Sequence, residues 1–396
     1  MRRLKEKQRS TFNAEKLEIN TVPPKGLALH VHLLVVLMGV IAVANGKLLS
    51  DSDSDTPLAG NASNATALYV LGDSSVDCGD NTLFYPLLHH NLSLYPCNGS
   101  HTSLLPHLLA EKMGLPNILP FYSQNGSIEE LIVGLNFGSA EATIVSSQSH
   151  QSLNQQLRQV FETLQLLQLQ LGENRADHLI RSSVVYLSFG KDDYIDLFLR
   201  NSSGLMLKFT SKEFAHILVH QIMHVVRNLY NANFRKIICT GILPLGCTPR
   251  RMWERYNNTT VVEDDHDGGD CVKDINEMVL EYNTMLNEHI LELNSMLPDV
   301  DIVFCDVYRG IMKILADPGH YGFEELRSAC CGAGLYGAMI GCLSPEMACN
   351  QASSYVWWDL YNPTQAVNSL LADSAWSGRP FSDICRPIPI QQLLTT

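Results

Sequence analysis

Ala67-Leu68-Tyr69-Val70-Leu71-Gly72-Asp73-Ser74-Ser75-Val76-Asp77 begins as an apolar, β-prone run and ends in a glycine-led polar turn. The run Ala67–Leu71 predicts a strand, and Gly72 marks where it stops. A serine on a tight turn at a strand's carboxyl end can present its hydroxyl as a nucleophile, which makes Ser74 the first candidate. Further β-rich runs follow at Val184–Phe189, Lys236–Thr240 and Asp301–Phe304, and helical patterns occupy 150–171, 212–230 and 272–296. Strands alternating with long helices predict right-handed crossovers and a parallel sheet covered by helices on both faces. Sites in such folds lie beyond the carboxyl ends of the strands, where Ser74 would stand. No internal repeat is visible.

The chain around this core has 396 residues, 45% hydrophobic and only 17% charged, which excludes a disordered protein. Its net charge of -13, with no basic block, excludes nucleic acid as a partner. Near the amino terminus, Arg2, Arg3, Lys5, Lys7, Arg9, Lys16 and Lys25 precede an unbroken apolar run from Leu33 to Ala44. That run suits a signal peptide and is shorter than the roughly 20 residues that span a bilayer. Ala42-Val43-Ala44 closes it as a small-x-small cleavage signature, so residues 1–44 are expected to be removed, with an uncleaved anchor as the alternative. Asn61, Asn64, Asn91, Asn98, Asn125, Asn201, Asn257 and Asn258 each open an N-x-[ST] sequon in polar stretches, as glycosylated surface loops do. Residues 45–66 read as a flexible, acidic, glycosylated linker, 67–386 as the folded domain and 387–396 as a tail. An acidic, secreted glycoprotein with no membrane span after cleavage follows.

Two regular patterns invite functional readings that physical chemistry discourages. His216, His220 and His224 recur at i, i+4 and i+8 beside an apolar stripe of Phe214, Ile217, Leu218, Ile222, Val225 and Leu229. Imidazoles spaced along a straight helix converge poorly on one ion, so a solvated face is the better reading and no metal is assigned. The glutamine-rich Gln148–Gln170 reads as an amphipathic surface helix rather than a partner-binding coiled coil.

Blocks later in the chain give Ser74 its context. They are Gly72 through Asn81; Gly134-Leu135-Asn136-Phe137-Gly138-Ser139-Ala140-Glu141-Ala142; Gly190-Lys191-Asp192-Asp193-Tyr194; and Pro244-Leu245-Gly246-Cys247. Tyr321-Gly322-Phe323, Cys330-Cys331-Gly332 and Trp358 through Gln365 complete the series. In this order, from Leu68 to Cys385, they closely resemble the plant-type GDSL esterase/lipase family of the SGNH hydrolases. The resemblance implies a flavodoxin-like three-layer α/β/α sandwich with a central parallel sheet. It also implies a Ser-His-Asp triad for hydrolysis of carboxylic esters, with an oxyanion hole of three donors and no cofactor. Carried over position by position, Ser74 is the nucleophile and also supplies a backbone N–H to the oxyanion, while Asp359 is the orienting acid.

The remaining positions depart from the pattern. The family histidine falls on Asn362, whose amide accepts no proton near neutral pH. The oxyanion asparagine falls on Asp192, which has no N–H when ionised, and the oxyanion glycine falls on Glu141. His320 or one of His89, His90, His101 and His107 could in principle substitute for the missing base. Asp73, Glu141, Asp192 and Asp359 could instead gather with Asn362 as hard oxygen ligands, or Lys191 could neutralise one of them. The bland reading is drift in an unused pocket.

Among the cysteines, Cys247 and Cys271 resemble the family's loop-closing pair. Cys330, Cys331, Cys342 and Cys349 read as two more disulfides of open connectivity. Cys239 and Cys305, in strand-like runs, are expected as buried free thiols. Eleven cysteines leave at least one thiol without a partner in the chain. The sequence therefore predicts a secreted protein of the cell wall or apoplast, directed at an ester-containing small molecule, lipid or cell-wall component. Its hydrolytic chemistry is expected to be weak or absent; a non-catalytic extracellular binding protein is the alternative.

Overall fold

A computed structural model describes residues 66–77, 104–140, 142–145, 152–200, 203–258 and 271–395. The signal peptide, nearly all of the linker, Glu141, His89, His90, His101, Cys78, Cys97 and the sequons at Asn61, Asn64, Asn91, Asn98 and Asn201 lie outside the described residues. Asn125 and Asn257 are exposed.

The quoted stretch forms strand β1, Leu68–Gly72, buried at every residue. The described sheet continues through β2 (Leu119–Pro120), β3 (Leu135–Asn136), β4 (Val184–Ser188), β5 (Lys236–Thr240), β6 (Asp301–Cys305) and β9 (Cys385–Arg386). Its spatial order is β2-β3-β1-β4-β5-β6-β9, parallel throughout except for β9, which runs antiparallel to β6. Burial of β1 and β4 along their whole length is what a parallel sheet flanked by helices requires. After β1 the chain builds β2 and β3 on one side and then returns to β4 on the other. The crevice at the carboxyl ends of β1 and β4 is therefore a topological switch point, the usual place for a ligand in an open α/β sheet.

The helices are α1 (Leu105–Lys112), α2 (Ile128–Leu131), α3 (Leu153–Leu171), α4 (Glu173–Ser182), α5 (Ser211–Asn231) and α6 (Pro249–Asn258). Then come α7 (Lys273–Met296), α8 (Val307–Ala316), α9 (Gln365–Ser377) and α10 (Ile390–Leu393). Helix α5 starts at a capping box in which Thr210 Oγ1 accepts from Glu213 N–H and the Glu213 carboxylate accepts from Thr210 N–H. Its buried face, with Phe214, Leu218, Ile222, Val225 and Leu229, packs on α7. His216, His220 and His224 are exposed on the other side. Helix α3 buries Leu153, Leu157, Val160, Leu164 and Leu167 at helical spacing, and Gln156 and Gln159 with them.

Two expectations are corrected. Residues 387–395 are not a loose tail, because Ile390, Leu393 and Leu394 are buried in the main core beneath α9. Cys305 is not a free thiol. The antiparallel register of β6 with β9 sets it opposite Cys385, and the two are joined. Cys247–Cys271 forms as expected, and the open connectivity closes as Cys330–Cys349 and Cys331–Cys342. These last two bridges, with Trp358, make a small separate core beside the parallel pair β7 (Glu325–Ala329) and β8 (Tyr355–Trp357). Cys239 is buried and free, its thiol pushed up to about 12 by burial.

Candidate active site

The turn after β1 is held from three sides. Gln156 of α3 accepts from Gly72 N–H and donates to Gly72 C=O, both at 2.9 Å. Gly72 must be glycine, because a Cβ there would sit 2.4 Å from Val76 Cγ2 and 2.6 Å from the Ser188 carbonyl oxygen. Asp73 donates its N–H to Ser188 C=O, and its Oδ1 accepts from both the N–H and the hydroxyl of Ser75. From the other side, Ser139 N–H donates to Gly72 C=O and Asn136 Nδ2 to Val76 C=O. The result is a rigid elbow that fixes where Ser74 points.

Ser74 meets Asp192. Its backbone N–H donates to Asp192 Oδ2 at 2.9 Å and its hydroxyl to Asp192 Oδ1 at 2.6 Å. Asp192 arrives from the turn after β4, and its own N–H donates to Asp73 Oδ2 at 3.3 Å. Both side chains are buried, Ser74 to 4% exposure and Asp192 to 3%. The carboxylate therefore grips the serine at two points, one of which is the N–H that would otherwise face a developing oxyanion. Among the described residues no histidine lies within hydrogen-bond reach of the hydroxyl. His320 is exposed against the Tyr321 ring, and His107 is buried on α1.

Asp359 and Asn362 come from the loop between β8 and α9. The Asp359 carboxylate, fully buried, accepts from Tyr361 N–H, Asn362 N–H and the Asn362 side-chain amide. Asn362 thus reproduces the bond by which an imidazole would hold its orienting acid. Its other end is an amide oxygen, and that oxygen accepts from Lys191 Nζ at 2.6 Å. Burial raises the Asp359 carboxyl, and the hydrogen bonds and the Lys191 charge pull it back.

The polar centre holds several carboxyls and one buried cation, Lys191. Burial, followed by the neighbouring Asp192 charge, pushes the Asp73 carboxyl up to about 6 despite the opposing pull of Lys191 and Ser75. Asp193, the next residue, is pushed up to about 8 by burial, although its carboxylate accepts from Ile144 and Val145 N–H. Asp193 thereby ties Ile144 and Val145, beyond β3, to a π-helical turn at Asp193–Phe198. The sequence reading quoted Asp193 but assigned it no role; its place in the third block was the only signal. Gln156 gave no signal at all.

The structure thus brings Asp73, Ser74, Lys191, Asp192, Asp359 and Asn362 together; of the candidate histidines that are described, neither His107 nor His320 bonds to Ser74. Four of the surrounding groups, Asp73, Ser75, Lys191 and Asn362, also border a cavity of about 50 Å³ that Leu104, Phe189, Ile242 and Leu371 line as well. No three His, Cys, Asp or Glu side chains among the described residues are placed to hold a metal ion. No described helix is long and apolar enough to cross a membrane.

Comparison with known proteins agrees with this geometry. The family described as GDSL-like lipase/acylhydrolase matches residues 68–375. A GDSL esterase/lipase of Arabidopsis thaliana is 32% identical over 342 residues, covering 83% of this chain and 88% of its own. GDSL esterase/lipase 7 of the same plant is 28% identical over 363 residues, covering 87% and 94%. A third is 30% identical over 329 residues, covering 78% and 87%.

Proposed function

The chain belongs to the GDSL-like lipase/acylhydrolase family, and from that premise we propose that it is a secreted member whose ester-hydrolase site is hydrolytically impaired and serves to bind. The single observation that carries the reading is the pair of bonds from Ser74 to Asp192. A hydrolase of this class needs a base at the serine hydroxyl and donors where the oxyanion forms. Here the hydroxyl donates to a carboxylate, and the same carboxylate fills the position where negative charge must develop. Asn362 keeps the bond to Asp359 but offers no basic nitrogen, and its oxygen is engaged by Lys191.

The ligand class follows from the family and the site: an ester-containing small molecule, lipid or cell-wall component, met outside the cell. Support for the location comes from the basic-then-apolar amino terminus, from four disulfides among the described residues and from exposed sequons at Asn125 and Asn257. Glycosylation at these and the remaining sequons, and removal of residues 1–44, belong to the same proposal. So does the placing of Glu141 at the oxyanion.

Covalent labelling tests the chemistry without needing the natural ligand. A fluorophosphonate probe reacts with serines that a neighbouring base activates, and it leaves unactivated serines alone. The purified chain should remain unlabelled at Ser74 under conditions that fully label an active relative. Stoichiometric adduct at Ser74 would refute the reading.

A further inference from the structure

The cavity beside the site has a chemical asymmetry that points to a ligand. Lys191 borders it, is only 3% exposed, and makes one hydrogen bond, to the neutral oxygen of Asn362. An ammonium has three donors, and among the described residues no carboxylate comes within ion-pair distance of this one. A buried cation held by one neutral acceptor is expensive unless a further acceptor completes its shell. The carboxylates nearby have their own partners. Asp192 takes Ser74 at both oxygens, Asp359 takes three N–H groups, and Asp73 takes Ser75 and Asp192 N–H. The same cavity is also lined by Leu104, Ile242, Leu243, Val307, Ile311 and Leu371.

We propose that this cavity binds the carboxylate of a short aliphatic acid, with the Lys191 ammonium on the carboxylate and the tail against the leucine and isoleucine wall. The proposal rests on the reading above that the site binds rather than hydrolyses, and goes beyond it in taking a free acid as the ligand of this cavity. One ordered water needs about 10–15 Å³ of such volume. The cavity's roughly 50 Å³ is filled by a few heavy atoms, which suits acids of about two to four carbons. A free acid meets the ammonium better than its ester, because a carboxylate offers charge-assisted acceptors to the donors that Asn362 leaves unused. Asp73 is the carboxyl bordering the cavity, and burial pushes it up to about 6, so mild acidity lowers the opposing charge.

Calorimetric titration of the purified full chain at pH 6 with sodium butyrate, and with butyramide as the neutral isostere, tests this directly. Butyrate should bind at least tenfold more tightly than butyramide, and octanoate should bind more weakly than butyrate. Lys191→Met should abolish the preference for the acid. Val307→Trp fills the wall without touching the polar end and should weaken both ligands together, which guards against a misfolded Lys191 variant. Equal binding of acid and amide, no binding of either, or butyrate binding unchanged in both variants would overturn the proposal. The outcome is separable from the functional reading: labelling at Ser74 would remove hydrolytic impairment and leave the butyrate titration to be judged on its own.

Discussion

Restoring the family residues one at a time should recover almost nothing, and restoring them together should recover a great deal. Asn362→His supplies an imidazole, and general-base catalysis is worth about 10²–10⁴ in rate. Two features of the structure cancel that gain in the single variant. Lys191 Nζ lies 2.6 Å from the Asn362 amide oxygen, so its ammonium would stand against the new ring and disfavour the imidazolium that base catalysis forms. Asp192 still occupies the Ser74 N–H. A carboxylate about 4 Å from a forming oxyanion opposes it by roughly 4 kcal/mol at an effective dielectric near 20. Asp192→Asn removes that charge and supplies a donor worth about 2.7–4 kcal/mol, or about 10²–10³ in rate. These terms do not add freely, because each oxyanion repair matters only once a base is present. The Asn362→His/Asp192→Asn double variant should therefore hydrolyse p-nitrophenyl butyrate at least about 10²-fold faster than either single variant. Glu141→Gly should raise the rate further in that background and have no effect alone. All single, double and triple variants are compared after circular dichroism confirms folding. Full recovery from Asn362→His alone would refute the reasoning, since the pocket would then tolerate both Asp192 and Lys191 as they stand.

Further outcomes follow from the rest of the structure. Asp193 is pushed up to about 8 and Asp73 to about 6, so the folded chain holds their protons where the unfolded chain, near 3.8, has lost them. Their contribution to stability is complete below about pH 4 and is lost as pH rises through 6 and then 8. The contribution of these two groups to the urea midpoint should accordingly fall between about pH 4 and 8, and Asp193→Asn should flatten the part of that fall between 6 and 8; an unchanged slope in Asp193→Asn would contradict the assignment. Non-reducing peptide mapping should recover Cys305 joined to Cys385, and Cys239 should be alkylated only after denaturation. A bridge closing 80 residues contributes up to about 4.5 kcal/mol by loop entropy, so Cys305→Ser/Cys385→Ser should lower the urea midpoint sharply; free thiols at both positions in the native chain would refute the pairing.

Periodic features were the ones a linear reading could reach. The strand before Ser74, the later strands at 184, 236 and 301, and the long helices over 153–171, 211–231 and 273–296 all repeat an apolar pattern over enough residues to be recognised. Strand β9 was not reachable, because two residues carry no period and their pairing with β6 depends on a register set elsewhere in the fold. That is why Cys305 was misread as a free thiol and the last residues as a tail. At the site, sequence blocks identified Ser74, Asp192, Asp359 and Asn362 as positions, but not how they bond. The two-point grip of Asp192 on Ser74 and the Lys191–Asn362 contact join residues 118 and 171 apart in the chain. Such contacts follow from strand order, not from spacing.

The central claim is that Ser74, gripped by Asp192 and with no histidine in reach among the described residues, does not hydrolyse esters at a useful rate. The most direct measurement compares purified chain and Ser74→Ala on p-nitrophenyl butyrate across pH 5 to 8, under conditions where a family member with an intact triad turns over readily. The account predicts indistinguishable rates for the two proteins at every pH. A rate in the unmodified chain well above that of Ser74→Ala would contradict it.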